Sequence, residues 1–212
     1  MQLSIKGGEL MKRILVFGDS NTWGFDPARF DRYPEEVRWT SLLQKRLGND
    51  ALILEEGLNG RTTAFDDPDC AGRNGLAALP AILEANRPLD AAVIMLGTND
   101  CKSVIHATAE EITAGLEKCL TKILDNVSTE NILLISPFYL GEAALNFGND
   151  ERSLAVSREL KDAYKALADK YGTAFLAASD VTEASEVDGQ HLTAEGHRAL
   201  YEAVLKVMKK RL

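Results

Sequence analysis

Short apolar runs alternate along this chain with longer stretches whose apolar residues recur every three or four positions. Residues 13–17 (RILVF), 51–54 (ALIL), 91–96 (AAVIML), 131–136 (NILLIS) and 174–177 (AFLA) are apolar runs of strand length, the pattern of strands buried on both faces. Between them, 38–47 carries Trp39, Leu42, Leu43 and Leu47 at helical spacing. Residues 76–85 read as an apolar helix in which Pro80 marks a kink or a first turn. Residues 110–124 carry the stripe Ile112, Leu116, Cys119, Leu120 and Ile123. A longer amphipathic helix runs from Leu154 to Tyr171, and Thr193 is placed to cap a last one with Leu200, Val204, Leu205 and Met208 on its apolar face.

Alternation of strand and helix from end to end predicts an α/β fold. The expected form is a three-layer α/β/α sandwich around a central five-stranded parallel sheet with right-handed crossovers. No internal repeat, low-complexity tract or linker divides it, so residues 11–212 read as a single domain. Residues 1–10 (MQLSIKGGEL) lack the apolar run of a signal peptide and read as an extension or an expression remnant. Residues 25–37 and 138–150 are longer than the usual connection of ~4–6 residues. They carry Phe30, Tyr33, Phe138, Tyr139 and Phe147, which suits pocket walls, lids or subunit contacts.

Charge removes several classes of function. Lys and Arg number 24 against 32 Asp and Glu, a net charge of −8, so the basic footprint of a nucleic-acid binder is missing. The same acidity disfavours anionic membrane surfaces, and no apolar run approaches the ~18 residues of a membrane span. The cysteines are Cys70, Cys101 and Cys119, without a C-x-x-C spacing, so neither a disulfide framework nor a zinc knuckle is expected. Free cysteines and no export signal make the cytoplasm the expected location. Only His106, His191 and His197 could serve as an imidazole base near neutral pH.

In open parallel sheets ligands bind beyond the carboxyl ends of the strands. Four small-polar clusters fall there: 18–24 (GDSNTWG), 57–63 (GLNGRTT), 97–100 (GTND), and 188–191 (DGQH) ahead of the last helix. The dinucleotide fingerprint, the P-loop, H-E-x-x-H and the G-x-S-x-G elbow are all absent from the sequence. No cofactor and no metal site are expected. The residue types that remain suit acyl transfer. A serine hydroxyl needs a base to take its proton as it attacks, and a carboxylate fixes the tautomer of an imidazole that does so. Asp188 and His191 are three apart, close enough for one tight turn to bring them together. The amides of Ser20 and Gly60 and the side-chain NH2 of Asn99 are available to hold an oxyanion.

These blocks resemble the SGNH/GDSL hydrolase family, named for a Ser, a Gly, an Asn and a His in four separate segments. The blocks stand in family order and span residues 18–191. The resemblance implies a flavodoxin-like SGNH fold, with Ser20, Asp188 and His191 catalytic and Ser20, Gly60 and Asn99 forming the oxyanion hole. TWG after the serine, EEGLNGRTT, the nearby DDP and IMLGTND further resemble the arylesterase/acyltransferase branch. That implies a serine esterase acting on small carboxylic esters, with acyl transfer to alcohols in some members and frequent homo-oligomers. The acyltransferases are expected to carry another small residue at position 60, where Gly is the more usual family residue.

Each residue also has a plainer role. Ser20 could cap a helix, and Asp19 is expected to hold the turn or to line a substrate pocket. Trp23 could line that pocket or simply pack. Arg61 could face substrate or pair with Asp66 or Asp67. Asp100 and His197 read as structural, His106 as a surface or capping residue, and Cys101 has no base partner in view. A carbohydrate O-acetylesterase with the same triad is the rival within the fold, and a non-catalytic flavodoxin-like binding module the rival outside it. Activity of the esterase should rise with pH around ~6.5, the ordinary imidazole value.

Overall fold

Ile14, Leu15, Val16 and Phe17 alternate between two faces of one strand, and all four are buried. That is why the run is continuously apolar: over these four residues neither face of the strand meets water. The computed structural model describes residues 11–209, so the first ten residues and the expectation placed on them lie outside the described part.

The strand is β1 (Lys12–Gly18), followed by the short helix α1 (Ser20–Trp23). A two-stranded hairpin, β2 (Phe25–Asp26) and β3 (Asp31–Arg32), precedes α2 (Trp39–Leu47) and β4 (Ala51–Gly57). Then come α3 (Gly75–Asn86), β5 (Ala91–Met95), α4 (Ala109–Leu124) and β6 (Ile132–Ser136). The chain closes with α5 (Glu151–Tyr171), β7 (Ala174–Ala177) and α6 (Ala194–Met208). The main sheet has the order β4-β1-β5-β6-β7 and every pairing in it is parallel.

Two hydrophobic layers sandwich this sheet. Leu15, Phe17, Ala92, Ile94 and Leu134 pack against α3, α4 and α5. Ile14, Val16, Val93, Leu133 and Ile135 point the other way, against Trp39 and Leu43 of α2 and Leu200 and Val204 of α6. The three-layer sandwich and the five-stranded parallel sheet follow from that alternation.

Differences from the sequence pattern have local causes. β4 continues past its apolar run through Glu55, Glu56 and Gly57. It is an edge strand, so these carboxylates reach partners: Glu55 accepts from Arg32, Arg38 and Thr40, and Glu56 accepts from Asn86 Nδ2 at 3.3 Å. Gly57 is required there, because a Cβ would stand 2.3 Å from the backbone nitrogen of Trp23. Pro80 lies inside α3, whose first turn is instead capped by Asn74 accepting from the Ala77 N–H at 3.1 Å. Thr193 caps α6 by accepting from the Gly196 N–H at 3.0 Å. The stretch 25–37 holds the β2–β3 hairpin, and 138–150 holds a 3₁₀ turn, Glu142–Asn146. The chain leaves β1 for β4 on one side, then crosses to β5 on the other, so a crevice opens beyond the ends of β1 and β5.

Candidate active site

Ser20 stands at the start of α1, directly after β1. Asp19 is the N-cap, its Oδ1 accepting from the Asn21 N–H at 2.9 Å, and Gly24 ends the helix in the left-handed region at φ +90°. A left-handed stop is cheap for glycine and costly for other residues. The turn therefore presents one serine at the strand end.

At the other end of the chain, Asp188 folds its own turn. Its Oδ1 accepts from the N–H groups of Gln190 and His191, at 3.1 and 3.2 Å. Its Oδ2 lies 2.5 Å from His191 Nδ1. The nitrogen facing the carboxylate is then the protonated one, which leaves Nε2 as an acceptor. That Nε2 is 2.9 Å from Ser20 Oγ, across 171 residues of sequence. Burial opposes the charge on Asp188, but the hydrogen bond and charge of His191, with the two amides, outweigh it and hold the carboxyl below its ordinary value. Phe25 of the hairpin packs on the imidazole at 4.4 Å between ring centroids.

Gly60 has φ +81°, and Asn99 opens a 3₁₀ turn after β5. Asn99 Nδ2 donates to the carbonyl of Arg61 at 3.1 Å, leaving its second hydrogen free. Among the described residues, neither the Ser20 nor the Gly60 N–H donates to another group of the chain. Asp100 beside Asn99 is fully buried and accepts from the N–H and hydroxyl of Thr63, at 2.9 and 2.5 Å. Burial raises its carboxyl to about 7. Its role is to fasten the GTND turn to the 57–63 loop.

These groups border a cavity of about 420 Å³ lined by Ser20, Gly60, Asn99 and His191. Phe25 and Phe147 add aromatic walls, and Asn59, Thr98, Lys102 and Gln190 add polar ones. Phe25 and Phe147 come from the two long connections whose aromatic content marked them as wall candidates. Gln190 stands inside the DGQH block without being marked there as a site residue, and Lys102 carries no signal beyond its nearness to GTND. Lys102 Nζ is held at 2.8 Å by Asp67, whose side chain is buried.

Three expected pocket residues do not line this cavity. Asp19 is buried under the turn it caps, and burial pushes its carboxyl up to about 6. Trp23 turns aside, with the Arg32 guanidinium 5.0 Å over its ring. Arg61 is only 5% exposed and faces neither substrate space nor Asp66 or Asp67. Its guanidinium donates to the carbonyls of Gly18, at 3.0 Å, and Glu56, and lies 4.5 Å over Phe17. It ties β1 to β4 from inside, since a buried guanidinium must find acceptors.

The other candidates do not line the cavity. Cys101 and Cys119 are buried, and burial raises both thiols, that of Cys119 to about 12. His197 of α6 is fully buried and accepts from the N–H of Trp39, the first residue of α2, at 3.4 Å. Burial pushes it down to about 3. The carbonyl of His106 accepts from Arg152 at 3.0 Å. Among the described residues no helix is long and apolar enough to cross a membrane.

The model of the GDSL-like lipase/acylhydrolase family matches residues 16–199. Among curated proteins none matches the sequence. Among solved structures, a carbohydrate acetylesterase family member from Sinorhizobium meliloti is 40% identical, with 95% of this chain and 99% of that one covered and a TM-score of 0.87. A second carbohydrate acetylesterase from the same organism is 37% identical, with 95% and 100% covered and a TM-score of 0.87. The native aryl esterase of M. smegmatis is 36% identical, with 95% and 100% covered and a TM-score of 0.87.

Proposed function

The chain belongs to the GDSL-like lipase/acylhydrolase family and is a carboxylic ester hydrolase, and from that premise we propose that Ser20, His191 and Asp188 carry its reaction. The observation that supports this reading is the unbroken line from Asp188 Oδ2 to His191 Nδ1 and from Nε2 to Ser20 Oγ, at 2.5 and 2.9 Å. Ser20 Oγ attacks the ester carbonyl while His191 Nε2 takes its proton. Asp188 keeps Nδ1–H in place and stabilises the imidazolium. The oxyanion of the tetrahedral intermediate is held by the free N–H groups of Ser20 and Gly60 and by Asn99 Nδ2. The alcohol leaves with the proton from His191, and water attacks the acyl-enzyme by the same route in reverse. No cofactor takes part in this reading. Another alcohol in place of water would make the same acyl-enzyme an acyl donor. A cytoplasmic location and a homo-oligomeric state belong to the same proposal.

The substrate we favour is a small aryl or alkyl ester, seated between Phe25 and Phe147. A second reading rests on the other wall: Asn59, Lys102 and Gln190 offer hydrogen bonds that a hydroxylated alcohol such as an O-acetylated sugar would use. Hydrolysis of p-nitrophenyl acetate by the wild type, Ser20→Ala and His191→Ala tests the mechanism. Wild-type activity that falls by at least ~10³-fold in both variants is the expected result, and full activity in Ser20→Ala would overturn it. A panel of acyl chain lengths beside acetylated sugars separates the two substrates.

A further inference from the structure

Among the described residues, no backbone hydrogen bond joins the segment of Ser20 to that of His191. The serine sits on α1 and the histidine on the turn before α6. Their side chains must nonetheless meet to within a few tenths of an ångström. Asn21, directly after the serine, makes that connection. Its Nδ2 donates to the carbonyl of Gln190 at 3.1 Å, and its Oδ1 accepts from the N–H of Leu192 at 3.0 Å. These two peptide groups flank His191 on either side.

A parallel strand engages its neighbour in the same way, one residue bonding the C=O before and the N–H after its partner. Here one side-chain amide replaces the strand. The clamp is itself fixed, because the Asn21 N–H is bonded to Asp19 and its carbonyl accepts from Trp39 Nε1 at 3.0 Å. Asn21 is 2% exposed, so water does not compete for these bonds. Asp188 fixes the imidazole relative to its own turn, whereas Asn21 fixes that turn relative to the nucleophile.

Resting on the triad proposed above, we infer that Asn21 is a positioning residue that sets the Ser20–His191 distance. It touches no reacting atom and acts through His191. The test is a double-substitution cycle on p-nitrophenyl acetate. Asn21→Ala and Asn21→Leu are each measured alone and in the His191→Ala background, with Ser20→Ala as the control for the triad. Alone, each Asn21 variant should lose roughly 10–100-fold in kcat with KM within about threefold, the scale set by a ~1 Å misplacement. In the His191→Ala background, where oxyanion and binding groups leave a measurable residual rate, the same substitution should change kcat by less than about twofold. An equal loss in both backgrounds would mean that Asn21 supports only Ser20 or the fold, and would overturn the inference. Wild-type activity in both Asn21 variants would overturn it as well. If Ser20→Ala or His191→Ala stays active, the triad itself fails, which is a separate outcome. Should neither Asn21 variant fold, hydrogen exchange of the Leu192 amide in the wild type decides: strong protection is expected, and exchange at the rate of an open loop would overturn the clamp.

Discussion

Asn99 donates one side-chain hydrogen to the carbonyl of Arg61, the residue next to Gly60. The third block is thereby fastened to the second, and two of the proposed oxyanion donors are held as one unit. Arg61 extends the connection to the first block through its guanidinium on Gly18. Preorganised donors of this kind stabilise charge that develops in a transition state without having to reorient.

Asn99→Ala should therefore lower kcat by about a hundred- to a thousandfold with little change in KM. Steady-state kinetics on p-nitrophenyl acetate provide the measurement. A loss confined to KM would show that Asn99 binds the ground state instead.

His197 predicts how stability varies with acid. Burial holds it neutral in the fold, down to about 3, against an ordinary 6.5. A depressed histidine contributes stability that is full above 6.5 and is lost as pH falls from there toward about 3. Across that window unfolding takes up close to one proton at this site, or about 1.4 kcal/mol per pH unit. Asp188, also held low, adds to the loss at more acid pH. The raised carboxyls of Asp19 and Asp100 act in the opposite sense over pH 7 to 5, so His197 shows as a difference: the stability of the wild type relative to His197→Gln should fall from pH 7 through 6 to 5 in denaturation curves. A difference that stays constant with pH would remove His197 from the account.

Two glycines should respond differently to alanine. At Gly60 a Cβ would lie 3.4 Å from the Arg73 side chain, an ordinary contact, so the cost is that of the left-handed backbone. That is roughly 1–2 kcal/mol, a few degrees of Tm in a domain of this size. At Gly57 the Cβ would meet the Trp23 backbone at 2.3 Å, and no side chain can move to make room. Gly57→Ala should displace α1, lowering Tm more and abolishing esterase activity. Thermal melts with activity assays check both.

Lys102 separates the two substrate readings. Its ammonium borders the cavity and is anchored by Asp67. Lys102→Met should raise KM several-fold for acetylated sugars and change it less than about twofold for phenyl acetate, because only the former lose a hydrogen bond. Parallel saturation curves on the two substrates give the answer, and equal shifts would take Lys102 out of alcohol recognition.

Much of this molecule is legible in its sequence, for physical reasons. The apolar runs of 13–17 and 91–96 announce strands covered on both faces, and the helical stripes announce what covers them. Strand ends in a parallel sheet are where ligands gather, so four distant polar clusters could be assigned to one edge. The spacing of Asp188 and His191 predicts a carboxylate beside an imidazole, because a three-residue separation lies within the reach of a single turn.

What periodicity cannot carry is the direction of a side chain in an irregular segment. Arg61 belongs to a block that borders the cavity, yet its guanidinium turns inward to two carbonyls. Lys102 reaches the cavity from outside the blocks, and nothing within DGQH marks Gln190 as a residue that lines it beside His191. Asn21 looks like an ordinary residue of a turn until the loop 171 residues away is brought against it. The sequence by itself determined the layers, the strands and which segments approach the site, since these follow from local pattern and burial. Only the tertiary structure decided which polar groups face the cavity and which fasten its parts together, because that depends on contacts between segments that no local pattern encodes.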